Sequence, residues 1–296
     1  MKQNSRRISL EVIAPPKAWQ INAVRQWTAT VTRILDTHGI SCLNLPEVVE
    51  ETRPGRRTVP HSSKMDSVRF GELIRSRRPD VTLIPHKRSV RLPKEEFARW
   101  VQELVDKNIG HIVAVGGESH TINYPGLSVP EAAAFVKRSF PSMKVGGITI
   151  FTREDEVERI VAKMKSGITF FLSQIIFEVS LMKQVLSDLK RQCEDERLEF
   201  PDVFVSLAPA AKTRDLEFMR WLGVQFPPTL LDFLMNKDEE RVEARTFEVL
   251  KKLIDEVVDF MAKVASNVGF NIGHVVYDNL DLSERLIELV SSRADA

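Results

Sequence analysis

Short apolar runs alternate with longer amphipathic stretches along the whole sequence. The runs fall at 8–13, 41–45, 81–85, 111–115, 144–148, 169–173, 203–208 and 271–275, and Val, Ile and Leu dominate them. Each has strand length and is followed by a segment with apolar residues three and four apart, or by a loop leading to one. Eight β-then-α units in 296 residues predict an α/β fold, a single (β/α)8 TIM barrel occupying 1–296, with a doubly wound open sheet as the alternative. Phe177 to Leu189 and Val249 to Val264 have the spacing of barrel-wall helices, and the same spacing would also serve an oligomer interface. The charge run Lys237 to Arg245 reads as solvated helix surface.

Two places break this pattern. The first strand reads Ser9-Leu10-Glu11-Val12-Ile13-Ala14-Pro15-Pro16, with an acidic residue among aliphatic neighbours and two prolines that end it. Period-two alternation puts Glu11 either on a solvated strand face or in an apolar setting where a carboxyl is kept for chemistry. The second break, Glu51 to Met65, is the longest interruption of periodicity, and its Arg, Pro and Ser content reads as an active-site loop. Its cations Arg53, Arg56, Arg57 and Lys64 either meet an anion, a phosphate or a polyglutamate tail, or are simply solvated.

A net charge of +1 gives no general attraction to nucleic acid or to an anionic membrane, so partners are to be sought in local sites. Cys42 and Cys193 have neither metal-ligand spacing nor a disulfide framework, which predicts reduced thiols and no metal. The segment Met1 to Arg7 lacks the apolar stretch of a signal peptide, and no run of about 18 apolar residues follows. The expectation is a cytoplasmic protein.

In a barrel of this type the carboxyl ends of the strands face a shared mouth. Here those ends carry Asn44-Leu45-Pro46-Glu47, Pro85-His86-Lys87, Gly116-Gly117-Glu118-Ser119-His120, Ser173-Gln174, Ala208-Pro209-Ala210 with Lys212, and Tyr277-Asp278-Asn279. Taken together the chain resembles the 5,10-methylenetetrahydrofolate reductases over nearly its whole length. Ser9 to Pro16 is similar to that family's Ser-Phe-Glu-Phe-Phe-Pro-Pro, with Ala14 as an extra residue. Val115-Gly116-Gly117-Glu118 is similar to its Leu-Arg-Gly-Asp, and Thr169 to Gln174 to its Asp-Phe-Phe-Xaa-Thr-Gln. Val205 to Leu231 follows it in the proline after strand seven and in a later Xaa-Pro-Pro-Xaa-Leu-Leu.

The resemblance implies reduction of 5,10-methylenetetrahydrofolate to 5-methyltetrahydrofolate by NAD(P)H, with FAD as relay. It implies Glu11 as the acid that protonates the departing amine, Glu118 as an ionised carboxyl that binds the pterin and steadies the developing cation, and Gln174 on the pterin's amide-like edge, where a strand-end Gln bonding to neighbouring backbone is the other reading. Asn279 joins the substrate-binding positions, and His86, Gly116, Gly117 and Lys163 the cofactor-binding ones. His86, beside Lys87 and Arg88, also reads as a surface residue. The sequence departs from the family in carrying Glu118 for Asp, Gly116 for Arg, and Thr149 to Glu154 for Tyr-Pro-Glu-Xaa-His-Pro-Glu. Ala162 stands beside Lys163, with Arg159 and Lys165 as substitutes for lost diphosphate contacts. These departures also suit the flavin-free reductases of the superfamily, in which the nicotinamide passes hydride directly. Two further readings are a folate-binding subunit served by an electron-donor protein, and a pterin-dependent barrel methyltransferase.

Overall fold

The computed structural model describes residues 7–117, 122–236, 239–264 and 267–294. Eight parallel strands close a barrel in sequence order: β1 (Ile8–Glu11), β2 (Cys42–Leu45), β3 (Thr82–Arg88), β4 (His111–Val115), β5 (Lys144–Thr149), β6 (Ile168–Ser173), β7 (Asp202–Leu207) and β8 (Val268–Gly273). Closure is made by β8 on β1, with Ile8 opposite Phe270 and Glu11 opposite Gly273. The helices are α1 (Ile21–Thr37), α2 (Ser67–Arg75), α3 (Lys94–Asp106), α4 (Val129–Ser139), α5 (Glu156–Ser166), α6 (Ser180–Glu196), α7 (Thr213–Trp221), α8 (Pro228–Leu234), α9 (Val242–Lys263) and α10 (Leu280–Ala294). No helix among the described residues is long and apolar enough to cross a membrane.

Alternation along each strand sorts the side chains into two layers. Leu10, Leu43, Leu83, Ile112, Phe171 and Ile272 face outward into the large core shared with the helices. Ile84, Val113, Phe170 and Leu172 face inward and pack with Cys42, Val115, Ile148 and Phe204. Phe170 fills the interior because β5 has Gly146 opposite it, where an added Cβ would stand 2.4 Å from the ring. The helix starts carry local signals. Asp66 accepts the Arg69 N–H at the start of α2, and Ser128 and Glu131 form a reciprocal box at the start of α4.

Two strands differ most from their sequence limits, β3 and β8. β3 continues through His86, Lys87 and Arg88, which pair with Val113, Ala114 and Val115 of β4, whereas Thr82 to Pro85 pair with β2. Pro85 stands where the pairing changes neighbour, so its missing N–H does not end the strand. β8 starts at Val268 and ends at Gly273. Gly269, Asn271 and Gly273 occupy its inward positions and interrupt the apolar run that a sequence reading follows. The wall helices expected over Phe177 to Leu189 and Val249 to Val264 run over Ser180–Glu196 and Val242–Lys263.

Candidate functional site at the carboxyl end of the barrel

A polar layer caps the apolar interior. Asn271 on β8 sits at its centre: its Oδ1 accepts from Ser9 Oγ (3.0 Å) and Asn44 Nδ2 (2.9 Å), and its Nδ2 donates to Glu11 Oε2 (3.0 Å) and Ser206 Oγ (3.1 Å). Asn44 Nδ2 also donates to Ser9 Oγ (3.0 Å), which leaves Asn44 Oδ1 to accept from His86 Nε2 at 3.3 Å. In this arrangement the Asn271 carbonyl takes two donors and its amide nitrogen faces Glu11, so Glu11 Oε2 is an acceptor and Oε1 is the oxygen left for a proton. Glu11 is half-buried, with Asn44 fully buried beside it across the β1–β2 pair. Burial pushes the Glu11 carboxyl above its ordinary value of 4.5, and the Asn271 hydrogen bond only partly opposes the shift.

The end of β1 is held rigidly. His274 donates from Nδ1 to the Val276 carbonyl (3.1 Å) and accepts the Ile13 N–H at Nε2 (3.2 Å), so it is neutral, and burial lowers its pKa to about 4. The Tyr277 hydroxyl donates to the Ala14 carbonyl at 2.6 Å. Trp19 and Trp27 pack against Tyr277 with ring centroids 5.2 and 5.3 Å away.

The other expected site residues take different places. His86 lies within β3, 5% exposed, and its pKa is lowered to about 3 by desolvation, so it is a neutral interior ring and not a surface histidine. Glu118 lies outside the described residues. Gly116 and Gly117 follow β4, and a Cβ on Gly117 would meet the Tyr124 ring at 2.2 Å, so Tyr124 occupies the space over that glycine. Gln174 is half-buried beyond β6, with its Nε2 on the Leu222 carbonyl (3.3 Å) and its Oε1 accepting the Ile175 N–H (3.0 Å). Lys163 stands between α5 and the barrel wall. Its ammonium donates to the Ile148 carbonyl (2.8 Å), lies 3.9 Å from Glu156 and 5.9 Å from the centre of the outward Phe171 ring, and burial lowers its pKa. Lys165 pairs with Glu196. Asn279 is buried and donates to Asp215 Oδ2 (3.1 Å), which also accepts the Ala211 and Lys212 N–H groups, so it ties the β8 exit to the β7 exit.

The segment from Glu51 to Met65 does lie over the mouth. Glu47, just before it, accepts from Lys87 and from the Arg88 N–H, while Glu51 pairs with Arg88 and Arg53. Thr58 Oγ1 reaches the Arg214 carbonyl (2.9 Å), and the Met65 N–H returns to the Pro15 carbonyl (2.8 Å). The segment thus spans from β2 past β1 to the start of α7. Beside Gln174 a cavity of about 430 Å³ opens between Ile150 to Thr152, Ile175 to Glu178 and Gly223 to Pro227. A larger cavity of about 930 Å³ lies at the amino end, lined by Thr82, His111 and Phe170 among others. In (β/α)8 proteins the chemistry belongs to the carboxyl end, so the polar layer around Glu11 is the candidate site and the larger cavity is not. Among the described residues no group of three His, Cys, Asp or Glu is placed to hold a metal ion.

Asn271, Ser9 and Ser206 are the site residues that the strand-end reading misses. Their signal is a small polar residue at an inward period-two position, two residues from Glu11 in the case of Ser9. The fold and this polar layer define a (β/α)8-barrel protein with a carboxyl of raised pKa at its mouth. The chain belongs to the family described as mycobacterial methylenetetrahydrofolate reductase, whose sequence pattern matches residues 18–280. β1 and Glu11 precede the matched stretch. The curated proteins contain no match to this sequence. Among solved structures, a protein from Clostridium thermocellum described as binding two copies of 5-methyl-5,6,7,8-tetrahydrofolic acid is 21% identical, with a TM-score of 0.80 over 96% of this chain and 95% of that one. A long-chain alkane monooxygenase is 11% identical, with a TM-score of 0.58 over 99% and 91%. EDTA monooxygenase from Chelativorans sp. BNC1 is 10% identical, with a TM-score of 0.56 over 97% and 94%. At these identities the likeness is one of fold.

Proposed function

We propose that this protein reduces a methylene-bridged tetrahydrofolate to its N-methyl form with a reduced pyridine nucleotide, using Glu11 as the proton donor. The observation that carries the reading is the half-buried Glu11 carboxyl, its pKa raised by burial, with Oε2 held by Asn271 and Oε1 left for the proton. The bridging carbon must first lose one of its two C–N bonds. Glu11 delivers its proton to the departing amine nitrogen, the remaining nitrogen forms a cationic iminium with the methylene carbon, and hydride from the nicotinamide converts that iminium to a methyl group. One proton and one hydride are consumed, the C–N bond breaks, a C–H bond forms, and the nucleotide leaves oxidised. Gln174 stands at the edge of the 430 Å³ cavity; its amide already holds the Leu222 carbonyl and the Ile175 N–H, and its second N–H and second lone pair are what it has for the edge of a pterin ring.

A flavin relay fits these residues poorly. Of the positions that the resemblance assigns to FAD, Lys163 is engaged behind the barrel wall, Gly117 is covered by Tyr124, and His86 bonds to Asn44 in the interior. Direct hydride transfer from nucleotide to pterin is therefore the form of the reaction we infer. The test is anaerobic oxidation of NADH and of NADPH on adding methylenetetrahydrofolate, with and without FAD. Turnover independent of FAD is the expected result. Turnover only with FAD would restore the relay, and none under either condition would remove the reductase reading.

A further inference from the structure

The segment crossing the mouth carries two cations whose environment the proposed reaction does not use. The Arg57 guanidinium lies 4.8 Å from the Trp221 ring centre and 5.2 Å from that of Phe218, with Nε donating to the Val59 carbonyl at 2.6 Å. The Lys64 ammonium lies 4.9 Å from the Tyr277 ring centre and donates to Ser62 Oγ at 2.7 Å. Both residues are half-buried, and among the described residues neither forms an ion pair. Carboxylates nearby are engaged elsewhere: Glu47 with Lys87, and Glu51 with Arg88 and Arg53. Glu50 acts on Arg57 only from beyond ion-pair distance. Desolvation lowers the pKa of both cations, and the Arg57 charge lowers that of Lys64 further. Two partly desolvated, mutually repelling cations on aromatic faces make an arrangement that an arriving anion relieves.

Their position relates them to the site. Tyr277 under Lys64 holds the Ala14 carbonyl at the exit of β1, and Leu222, next to Trp221 under Arg57, accepts from Gln174. We propose that Arg57 and Lys64 form an anion-receiving site on the rim of the barrel mouth, which takes the negatively charged outer end of a ligand whose ring lies between Glu11 and Gln174. This inference rests on the pterin reading given above. The same chemistry is offered by the glutamyl carboxylates of a folate and by the phosphates of the nucleotide. The aromatic backing suits either group, because it fixes the cations without neutralising them.

The experiment measures dissociation constants for wild type and the double variant Arg57→Gln/Lys64→Gln. The ligands are a tetrahydropteroate lacking glutamate, its mono- and triglutamate forms, NADH, NADPH, a γ-linked triglutamate peptide and inorganic pyrophosphate, each at low and high salt. In wild type the glutamate tail should tighten binding about tenfold or more at low salt, and the double variant should lose that gain while binding the glutamate-free pterin unchanged. A preference for NADPH over NADH that collapses in the variant, with no tail effect, supports the same site with phosphate as the anion. Arg57→Lys should keep part of the gain, which a merely structural role for the side chain would not predict. The proposal is overturned if wild type shows neither a tail effect nor a phosphate preference, or if the variant retains both. Should wild type bind no pterin at all, the functional reading falls separately. The peptide and pyrophosphate then decide the rim site: binding lost in the variant supports it, and equal binding or none in wild type overturns it.

Discussion

At the scale of the residue, one amide decides what one carboxyl can do. Asn271 is oriented by two donors to its oxygen, and this orientation gives Glu11 an acceptor oxygen and a proton-bearing one. Glu11→Gln keeps the size and the hydrogen bond but carries no transferable proton. Turnover should fall by about 10²–10⁴-fold with pterin affinity retained, and unchanged turnover would remove the acid role. Asn271→Leu removes a bond that favours the charged carboxyl, so the Glu11 pKa should rise further. In that variant the limb of the pH–kcat/KM profile where activity is lost on raising pH should move to higher pH, while kcat drops from lost positioning. A profile unmoved along the pH axis would count against the contact. Glu11 itself was legible in the sequence as an acid inside an apolar strand. Asn271 was not, because a lone Asn between apolar residues gives no sign of which partners lie across a closed barrel.

At the scale of the element, strand alternation decides which side chains share the interior, and the loops decide which reach the mouth. Gly146 on β5 is the counterpart of the Phe170 ring on β6, and Gly146→Ala forces a ring already packed in the interior to shift. A loss of about 1–3 kcal/mol in urea unfolding is expected, with no change in helix content by circular dichroism. Asn279, expected from the resemblance to hold substrate, joins two strand exits through Asp215. Asn279→Ala leaves buried acceptor capacity unmet, so stability should fall by about 1–3 kcal/mol with KM for the pterin unaltered; a raised KM at unchanged stability would return it to the binding site. The charge run expected as solvated helix surface has a local task as well, since Glu239 accepts from the Thr213 N–H and hydroxyl at the start of α7.

At the scale of the whole molecule, burial of neutral histidines ties the fold to pH. In the unfolded chain these rings charge below about pH 6.5, whereas in the fold His86 stays neutral down to about 3 and His274 down to about 4. Between those limits the unfolded state binds more protons, so stability rises with pH across the window and is lost on acidification. Each ring should cost about 2 kcal/mol at pH 5 relative to pH 7, from a gap of about 1.5 units at 1.36 kcal/mol per unit. Glu11 acts in the opposite sense, because its raised pKa makes stability fall as pH rises, so the informative quantity is the difference between wild type and His86→Gln. Urea unfolding at both pH values should show the variant losing about 2 kcal/mol less than wild type on acidification, and equal losses would contradict a neutral, buried His86. The sequence by itself determined the eight-unit barrel, the acid in β1 and the loop over the mouth. Those features are local, carried by period-two and helical spacing, by prolines and by a long aperiodic stretch, and each can be read within one segment of chain. Only the tertiary structure decided that Asn271 grips Glu11 from the far end of the sequence, that Lys163 lies behind the wall, that Asn279 is a clamp, and that Arg57 rests on Trp221 and Lys64 on Tyr277. Barrel closure brings together side chains more than 250 residues apart, as Asn271 and Glu11 are, and no periodicity along the chain records which inward positions meet.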